Sequence, residues 1–220
     1  MAHPKRKLMV KDLNENLLDR KLEPVWDRYN DRHETGKRSL EAFDPEATHH
    51  LVLQDDALPC PNLVAGIEHA LRYMPENSPM VGYLGRVSPF AEHIEKLIRG
   101  HKPSWIVMDG VYWGPCVVVP TAILPELIEF YSKQTIQNYD RRISLFFESL
   151  RIQAWYPFPS LVQHRDSKSL AHDTKGRRCA HKFVGEDALK MKWTGEVMEL
   201  RGSRRLDAQR QKQAAPPLSA

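Results

Sequence analysis

The sequence predicts an α/β fold: a mainly parallel sheet flanked by helices, followed by a basic C-terminal extension. Three observations point there. Short runs rich in Val, Ile, Leu or Trp alternate with stretches whose apolar residues recur at helical spacing. The chain has 220 residues, 41% of them hydrophobic, which suits one domain that folds without a disulfide or a metal. The charge is also uneven. Residues 165–212 carry 13 Lys and Arg against 7 Asp and Glu, a net of +6, while the remainder is net −2.

The elements follow in order. A helix is expected over 7–18, then a strand over 22–26. A second strand spans 49–54 and ends in adjacent aspartates. Leu63, Val64, Ile67, Ala70, Leu71 and Met74 line one face of a helix. A strand over 80–84 precedes a helix capped by Ser88, with Pro89 at its first position and Phe90, Ile94, Leu97 and Ile98 facing inward. Strands over 104–108 and 116–119 come next, then helices over 123–132 and 139–150, the latter with Asp140 as its N-cap. After residue 166 the rhythm stops. Residues 1–184 read as the α/β domain, and 185–220 as the extension, a polar helix fading into a flexible tail.

Several classes are excluded by composition. The longest charge-free stretch, 110–125, is broken by Pro115 and Pro120, whereas a spanning helix needs about 20 apolar residues. The opening residues carry no apolar core of a secretory signal. Cys60, Cys116 and Cys179 are too few and too scattered for a disulfide framework, so a reducing cytoplasmic location is expected. The excess of basic residues toward the C-terminus, with Trp193 among them, suits a polyanionic partner or simply a solvated face.

The chemistry concentrates in three places. In HHLVLQDDALPCP a buried strand ends at Gln54, Asp55 and Asp56, where ligands bind in parallel sheets. If the strand continues, alternation points Gln54 and Asp56 one way and Asp55 the other. Two neighbouring carboxylates invite a divalent cation; a solvated turn is the plain alternative. In WDRYNDRHETGKRS, Gly36, Lys37 and Arg38 open a helix whose free amides and two cations would suit a diphosphate. Without the P-loop spacing, an ordinary basic first turn reads as well. In NYDRRIS and PSLVQHRD, Asp140 is a helix cap or a general base, and His164 sits at a strand end as a hydrogen-bonded residue or a metal ligand. A rival zinc set of His164, His172, Cys179 and His181 fits no common ligand spacing. A serine or cysteine nucleophile lacks its G-x-S-x-G turn.

Taken in order, HPKR, WDRYNDRHETGKRS, HHLVLQDDALP, GPCVVVP, NYDRRIS and PSLVQHRD resemble a small bacteriophage glycosyltransferase. The similarity covers about residues 3–183 and extends to GT-A-fold sugar transferases of the lipooligosaccharide type. It implies a GT-A-like, Rossmann-like fold. Such enzymes bind metal and nucleotide sugar through a D-x-D or E-D-D triplet, matched here by Gln54-Asp55-Asp56 with one acidic position replaced. The resemblance makes Asp56 and His164 ligands of Mn²⁺ or Mg²⁺, Asp55 a donor contact, and Asp140 the acidic residue beside the acceptor hydroxyl. It places His3, Pro4 and Arg6 near the nucleotide, Asp27 at the base or ribose, and Gly36, Lys37 and Arg38 near the sugar or diphosphate. Trp113 and Gly114 line the acceptor side.

The expected reaction is sugar transfer from a UDP-sugar to a hydroxyl. The basic third of the chain favours double-stranded DNA bearing hydroxymethylated bases, with a virion protein as the alternative acceptor. A metal-dependent phosphoesterase or nuclease would need more converging carboxylates than this one cluster. A non-catalytic nucleic-acid module would need exposed aromatic strands, whereas these read as buried.

Overall fold

The computed structural model describes residues 1–17, 20–136, 138–165 and 178–214. A 3-10 turn, Pro4–Arg6, leads into α1 (Lys7–Asn16), and α2 spans Arg32–Glu41. β1 (His49–Leu53) turns at once into β2 (Ala57–Pro59), followed by α3 (Leu63–Ala70) with a 3-10 extension, Leu71–Tyr73. Then come β3 (Met80–Val81), α4 (Phe90–Leu97), β4 (Trp105–Met108), β5 (Cys116–Pro120), α5 (Leu124–Ser132) and α6 (Tyr139–Ser149). The chain finishes with β6 (Ala154–Pro157), β7 (Val162–His164), β8 (Val197–Glu199) and α7 (Ser203–Ala214).

The fold is α/β, with a six-stranded mixed sheet flanked by helices and ordered β1-β5-β3-β6-β4-β8. A separate two-stranded sheet joins β2 to β7. The expected mainly parallel arrangement does not hold. Among the described strands of this sheet, β3–β6 and β4–β8 pair in parallel, while β1–β5, β3–β5 and β4–β6 are antiparallel. The expectation rested on strands alternating with helices. Here β1 and β2, β4 and β5, and β6 and β7 follow one another with no helix between them. Buried runs such as Val117, Val118 and Val119 report burial on both faces, not strand direction.

One connection follows from this topology. β4 and β5 point the same way, yet β6 and β3 lie between them. Residues 109–115 must therefore return along the sheet. Seven extended residues reach about 25 Å, enough for the crossing, and all but Asp109 are buried. The charge-free window of the sequence is this buried crossing and the strand after it.

Three helices form one block around Arg142, which is 1% exposed. Its Nη1 donates to the Tyr131 carbonyl at 2.9 Å and approaches His33 Nε2 at 2.7 Å, and its guanidinium lies 4.9 Å from the Tyr131 ring centroid. α2, α5 and α6 are tied together through that one side chain. On the other part of the core, Trp105 stacks on Trp193 at 4.8 Å and meets Trp155 edge-on at 5.5 Å.

Several boundaries shift. The stretch 22–26 is extended but not a strand: only Trp26 bridges, to Ala2. α4 starts at Phe90 with Pro89, not Ser88, in the cap position. Asn138 takes the N-cap of α6, which leaves Asp140 inside the first turn. The 7–18 helix ends at Asn16, with Leu18 outside the described residues. Residues 185–214 contribute more than a polar helix, since β8 extends the main sheet beside β4 and Ala188 packs on Gly66. Residues 215–220 lie outside the described set. Among the described residues, no helix is long and apolar enough to cross a membrane.

Burial pushes His49, His50 and His181 below the ordinary imidazole value near 6.5. Above that value both states are neutral. As pH falls through it, the unfolded chain binds protons that the native state takes up less readily, so stability is lost on acidification. The midpoint of urea unfolding should therefore be lower at pH 5.5 than at pH 7.5. His50→Gln, which keeps a donor for the Ser39 carbonyl, should narrow that gap.

Candidate functional site

The β1–β2 turn builds the centre of the site. The Ala57 amide donates to the Gln54 carbonyl at 3.0 Å, closing a tight turn over Gln54, Asp55, Asp56 and Ala57. Strand alternation stops there, and the two aspartates converge instead of facing apart. Arg6 Nη1 donates to Asp55 Oδ1 at 2.7 Å and to Asp56 Oδ2 at 2.8 Å. The His3 amide donates to Asp55 Oδ2 at 2.7 Å. All three charged side chains are buried, so Arg6 offsets a carboxylate repulsion that solvent does not screen.

His164 arrives from the second sheet. The β2–β7 register places it opposite Ala57, and the Arg165 amide donates to the Asp56 carbonyl at 2.8 Å. Its Nδ1 lies 2.7 Å from the Arg165 carbonyl, which fixes the proton on that nitrogen. Nε2 then turns a lone pair toward Asp56 Oδ2, 3.5 Å away. Burial pushes His164 below its ordinary value, with Asp56 only partly opposing this, so the imidazole is neutral at pH 7. Asp56 Oδ1 is buried without a hydrogen-bond partner. An orphaned carboxylate oxygen beside a neutral imidazole lone pair is a donor set that fits a divalent cation. Among the described residues no group of three or more His, Cys, Asp or Glu converges. Asp56 and His164 would thus supply part of a coordination sphere, with ligand oxygens completing it. His172, of the rival zinc set, lies outside the described residues.

A second cluster adjoins the first at Gln54. A Cβ on Gly114 would sit 2.6 Å from Gln54 Nε2 and 3.4 Å from the Tyr139 ring. A Cβ on Gly36 would sit 2.5 Å from the other edge of that ring and 2.7 Å from Tyr131 Oη. The two glycines therefore clasp Tyr139 between α2 and the crossing segment. Asp140 follows it, and its Oδ1 accepts from the Arg141 amide at 2.9 Å. Burial raises the Asp140 carboxyl above its ordinary value, against the pull of Arg210. Trp113, 8% exposed, packs on Phe90 at 5.1 Å and Tyr156 at 5.7 Å. It is a buried wall, not an open platform.

Of the remaining expected residues, Lys37, Arg38 and Asp27 make their contacts elsewhere. Gly36, Lys37 and Arg38 do not open a helix. Asp31 caps α2 by accepting from the His33 and Glu34 amides, so the three sit in the middle of the helix. Their amides belong to the helix, Lys37 pairs with Glu41 at 3.4 Å, and Arg38 is held by Glu34 and the Trp26 carbonyl. Arg38 lines a shallow groove with Val25, Trp26 and Arg28. Asp27 Oδ1 accepts from the Tyr29 and Asp31 amides, a local turn cap. Pro4 is exposed at the start of its 3-10 turn. Trp193 is 8% exposed and stacked in the core, not presented to a partner. Of the C-terminal arginines, Arg201 pairs with Glu199, Arg204 with Glu148 and Arg210 with Asp207.

Tyr139 was not foreseen as part of the site, hidden by its acidic neighbour Asp140. No protein-family model matches this chain, and no curated protein matches it.

Arg6→Gln should destabilise the fold by about 3–5 kcal/mol, because it leaves two buried carboxylates facing each other. Urea unfolding at pH 7 measures the loss. Adding Asp55→Asn to that variant should recover part of it by removing one of the two charges.

Proposed function

We propose that this chain is a metal-dependent glycosyltransferase that moves a sugar from a nucleotide-diphosphate donor, a UDP-sugar, to a hydroxyl acceptor, on a GT-A-like fold. The observation that carries the reading is the orphaned Asp56 oxygen beside the His164 lone pair. Asp56 and His164 would hold Mn²⁺ or Mg²⁺. Bound there, the ion would act as a Lewis acid on the leaving diphosphate.

The residues of the chain divide the remaining work. Arg6 supplies a fixed, buried positive charge next to Asp55 and Asp56, which suits an anionic donor once a cation shares the carboxylates. Asp140 lies in the adjoining cluster, and its raised carboxyl suits a group that accepts a proton near neutral pH. In an inverting transfer it takes the hydroxyl proton while the acceptor oxygen bonds to the anomeric carbon. The bond from that carbon to the diphosphate oxygen breaks, and its electron pair leaves with the diphosphate. Trp113 and Gly114 close the acceptor side.

For the acceptor we propose a 5-hydroxymethylated pyrimidine in double-stranded DNA, supported by the basic excess of residues 165–212. The burial of Trp193 and the internal pairing of three arginines support a hydroxyl on a virion protein as the second reading. A phosphoesterase or nuclease is less well supported, since one carboxylate pair with an arginine between its members is not a two-metal site.

The test is a transfer assay on hydroxymethylcytosine DNA with pooled UDP-sugars and Mn²⁺, read by nucleoside mass. A new sugar-sized mass is expected. A product on virion protein alone would move the acceptor, and no product together with no thermal stabilisation by UDP and Mn²⁺ would overturn the transferase. Asp56→Ala should abolish turnover, and Asp140→Asn should lower it by about 10²–10⁴-fold, both without loss of the cooperative melt.

A further inference from the structure

His164 occupies the last paired position of β7, opposite Ala57, so the sheet register ends with it. Arg165 is the first residue beyond, and its backbone serves both members of the Asp56–His164 pair. Its amide donates to the Asp56 carbonyl at 2.8 Å. Its carbonyl lies 2.7 Å from His164 Nδ1 and accepts the proton there.

Beyond the last register pair the strand ladder no longer aims the Arg165 carbonyl. The side chain of Arg165 reaches across to α1 instead, where Nη2 donates to Asp12 Oδ2. Arg165 Nε is buried without a hydrogen-bond partner, so among the described residues Asp12 is what holds this guanidinium. Asp12 is steadied in turn, since its Oδ1 accepts from Asn16 Nδ2 at 3.2 Å. The N-terminal segment therefore grips the site twice. Arg6 holds the two carboxylates, and Asp12 holds the residue that follows His164.

The position of one proton decides what the pair can do. A neutral imidazole carries one N–H and one lone pair. With the proton on Nδ1, Nε2 turns its lone pair toward Asp56 Oδ2, 3.5 Å away. With the proton on Nε2, that nitrogen would donate to Asp56 and close the pair into a hydrogen bond. No imidazole lone pair would then remain for a cation. The Tyr83 ring, 5.9 Å from that of His164 between centroids, limits where the imidazole lies but does not choose between its nitrogens. The Arg165 carbonyl does.

We propose that the Asp12–Arg165 ion pair is a positioning device for His164: it keeps the Arg165 carbonyl on Nδ1 and so leaves Nε2 open toward Asp56. Its meaning for metal binding rests on the reading of Asp56 and His164 as ligands. Groups that fix the tautomer of a ligating histidine typically matter about 10–100-fold in metal affinity. The Asp12 side chain is 43% exposed and that of Arg165 27%, so the pair adds little to global stability. Its loss is read at the imidazole.

The experiment follows the His164 ring by NMR in the metal-free full chain labelled with ¹⁵N-histidine, at pH 8, using His164→Gln to assign the signals. Wild-type protein should show the Nδ1–H form alone. Asp12→Ala and Arg165→Gln should each bring in the Nε2–H form, and the double variant should show no more of it than either single one. Arg165→Lys, which keeps the charge, should lie nearer to wild type than Arg165→Gln. Ala is the best helix former and Asp12 is half-exposed, so Asp12→Ala should keep the cooperative melt. The Nδ1–H form alone in both single variants would overturn the proposal, and so would additive effects in the double variant. The second readout is Mn²⁺ binding, followed by the EPR signal of the free ion, where each single variant should raise Kd about tenfold. Wild-type protein that binds no Mn²⁺, or variants that bind it as wild type does, would overturn the ligand reading. The tautomer shifts decide the role of the ion pair by themselves.

Discussion

Arg6 joins parts of the chain that would otherwise repel or drift apart. It is a single buried cation between two buried carboxylates, at 2.7 and 2.8 Å. Without it the β1–β2 turn would bring two negative charges together in low dielectric, a cost that the local backbone could not offset. With it, the N-terminal segment is drawn onto the end of the main sheet, and the His3 amide joins the same carboxylate. The turn then leads directly into β2, whose register with β7 delivers His164. The placement of the imidazole is therefore a consequence of a salt bridge fifty residues long in sequence.

The site has two parts with different physical character. Around Asp55 and Asp56 it is ionic, and formal charge remains after the arginine is counted. Around Tyr139 and Trp113 it is aromatic and closely packed, with two glycines admitting a ring that any side chain would displace. Gln54 is the hinge between them, since it precedes Asp55 in the turn and its amide rests against Gly114. The polar part and the packed aromatic wall thus meet at one residue of the β1–β2 turn, although the wall itself comes from α2, α6 and the crossing segment.

How much of this was legible depends on what a linear sequence encodes. The Asp55-Asp56 pair stood out because an apolar run ended abruptly in two charges, and the strand end was where the run stopped. The direction of the strands was not legible, since burial on both faces looks alike in either direction. The start of α2 was misread because Gly36-Lys37-Arg38 is conspicuous, whereas the real start lies in Asp31 with Glu34 three residues later, a spacing typical of helix N-termini. β8 offers three residues with Val197 41% exposed, too little apolar surface to mark a strand. Trp193 among basic residues reads as a surface aromatic, and only the tertiary stack on Trp105 shows otherwise. Arg210 belongs to a helix whose composition is almost wholly polar, so nothing local separates it from the solvated arginines around it.

The crossing segment of residues 109–115 bears on how such a protein can change. Proteins usually acquire new binding properties by lengthening exposed loops around a fixed scaffold. Here the loop that carries Trp113 and Gly114 runs through the interior, and inserted residues would have to be housed in the core. That route of diversification is closed. The adjustable border is α7 instead: one face is anchored by Ser203 and Asp207, while Arg204, Arg205 and Gln209 lie at the surface. Substitutions along its outer rim would reshape the surface beside Tyr112 and Trp113 without disturbing the sheet. Adaptability in this molecule therefore resides in its C-terminal helix, the part of the chain whose composition looks least like a scaffold.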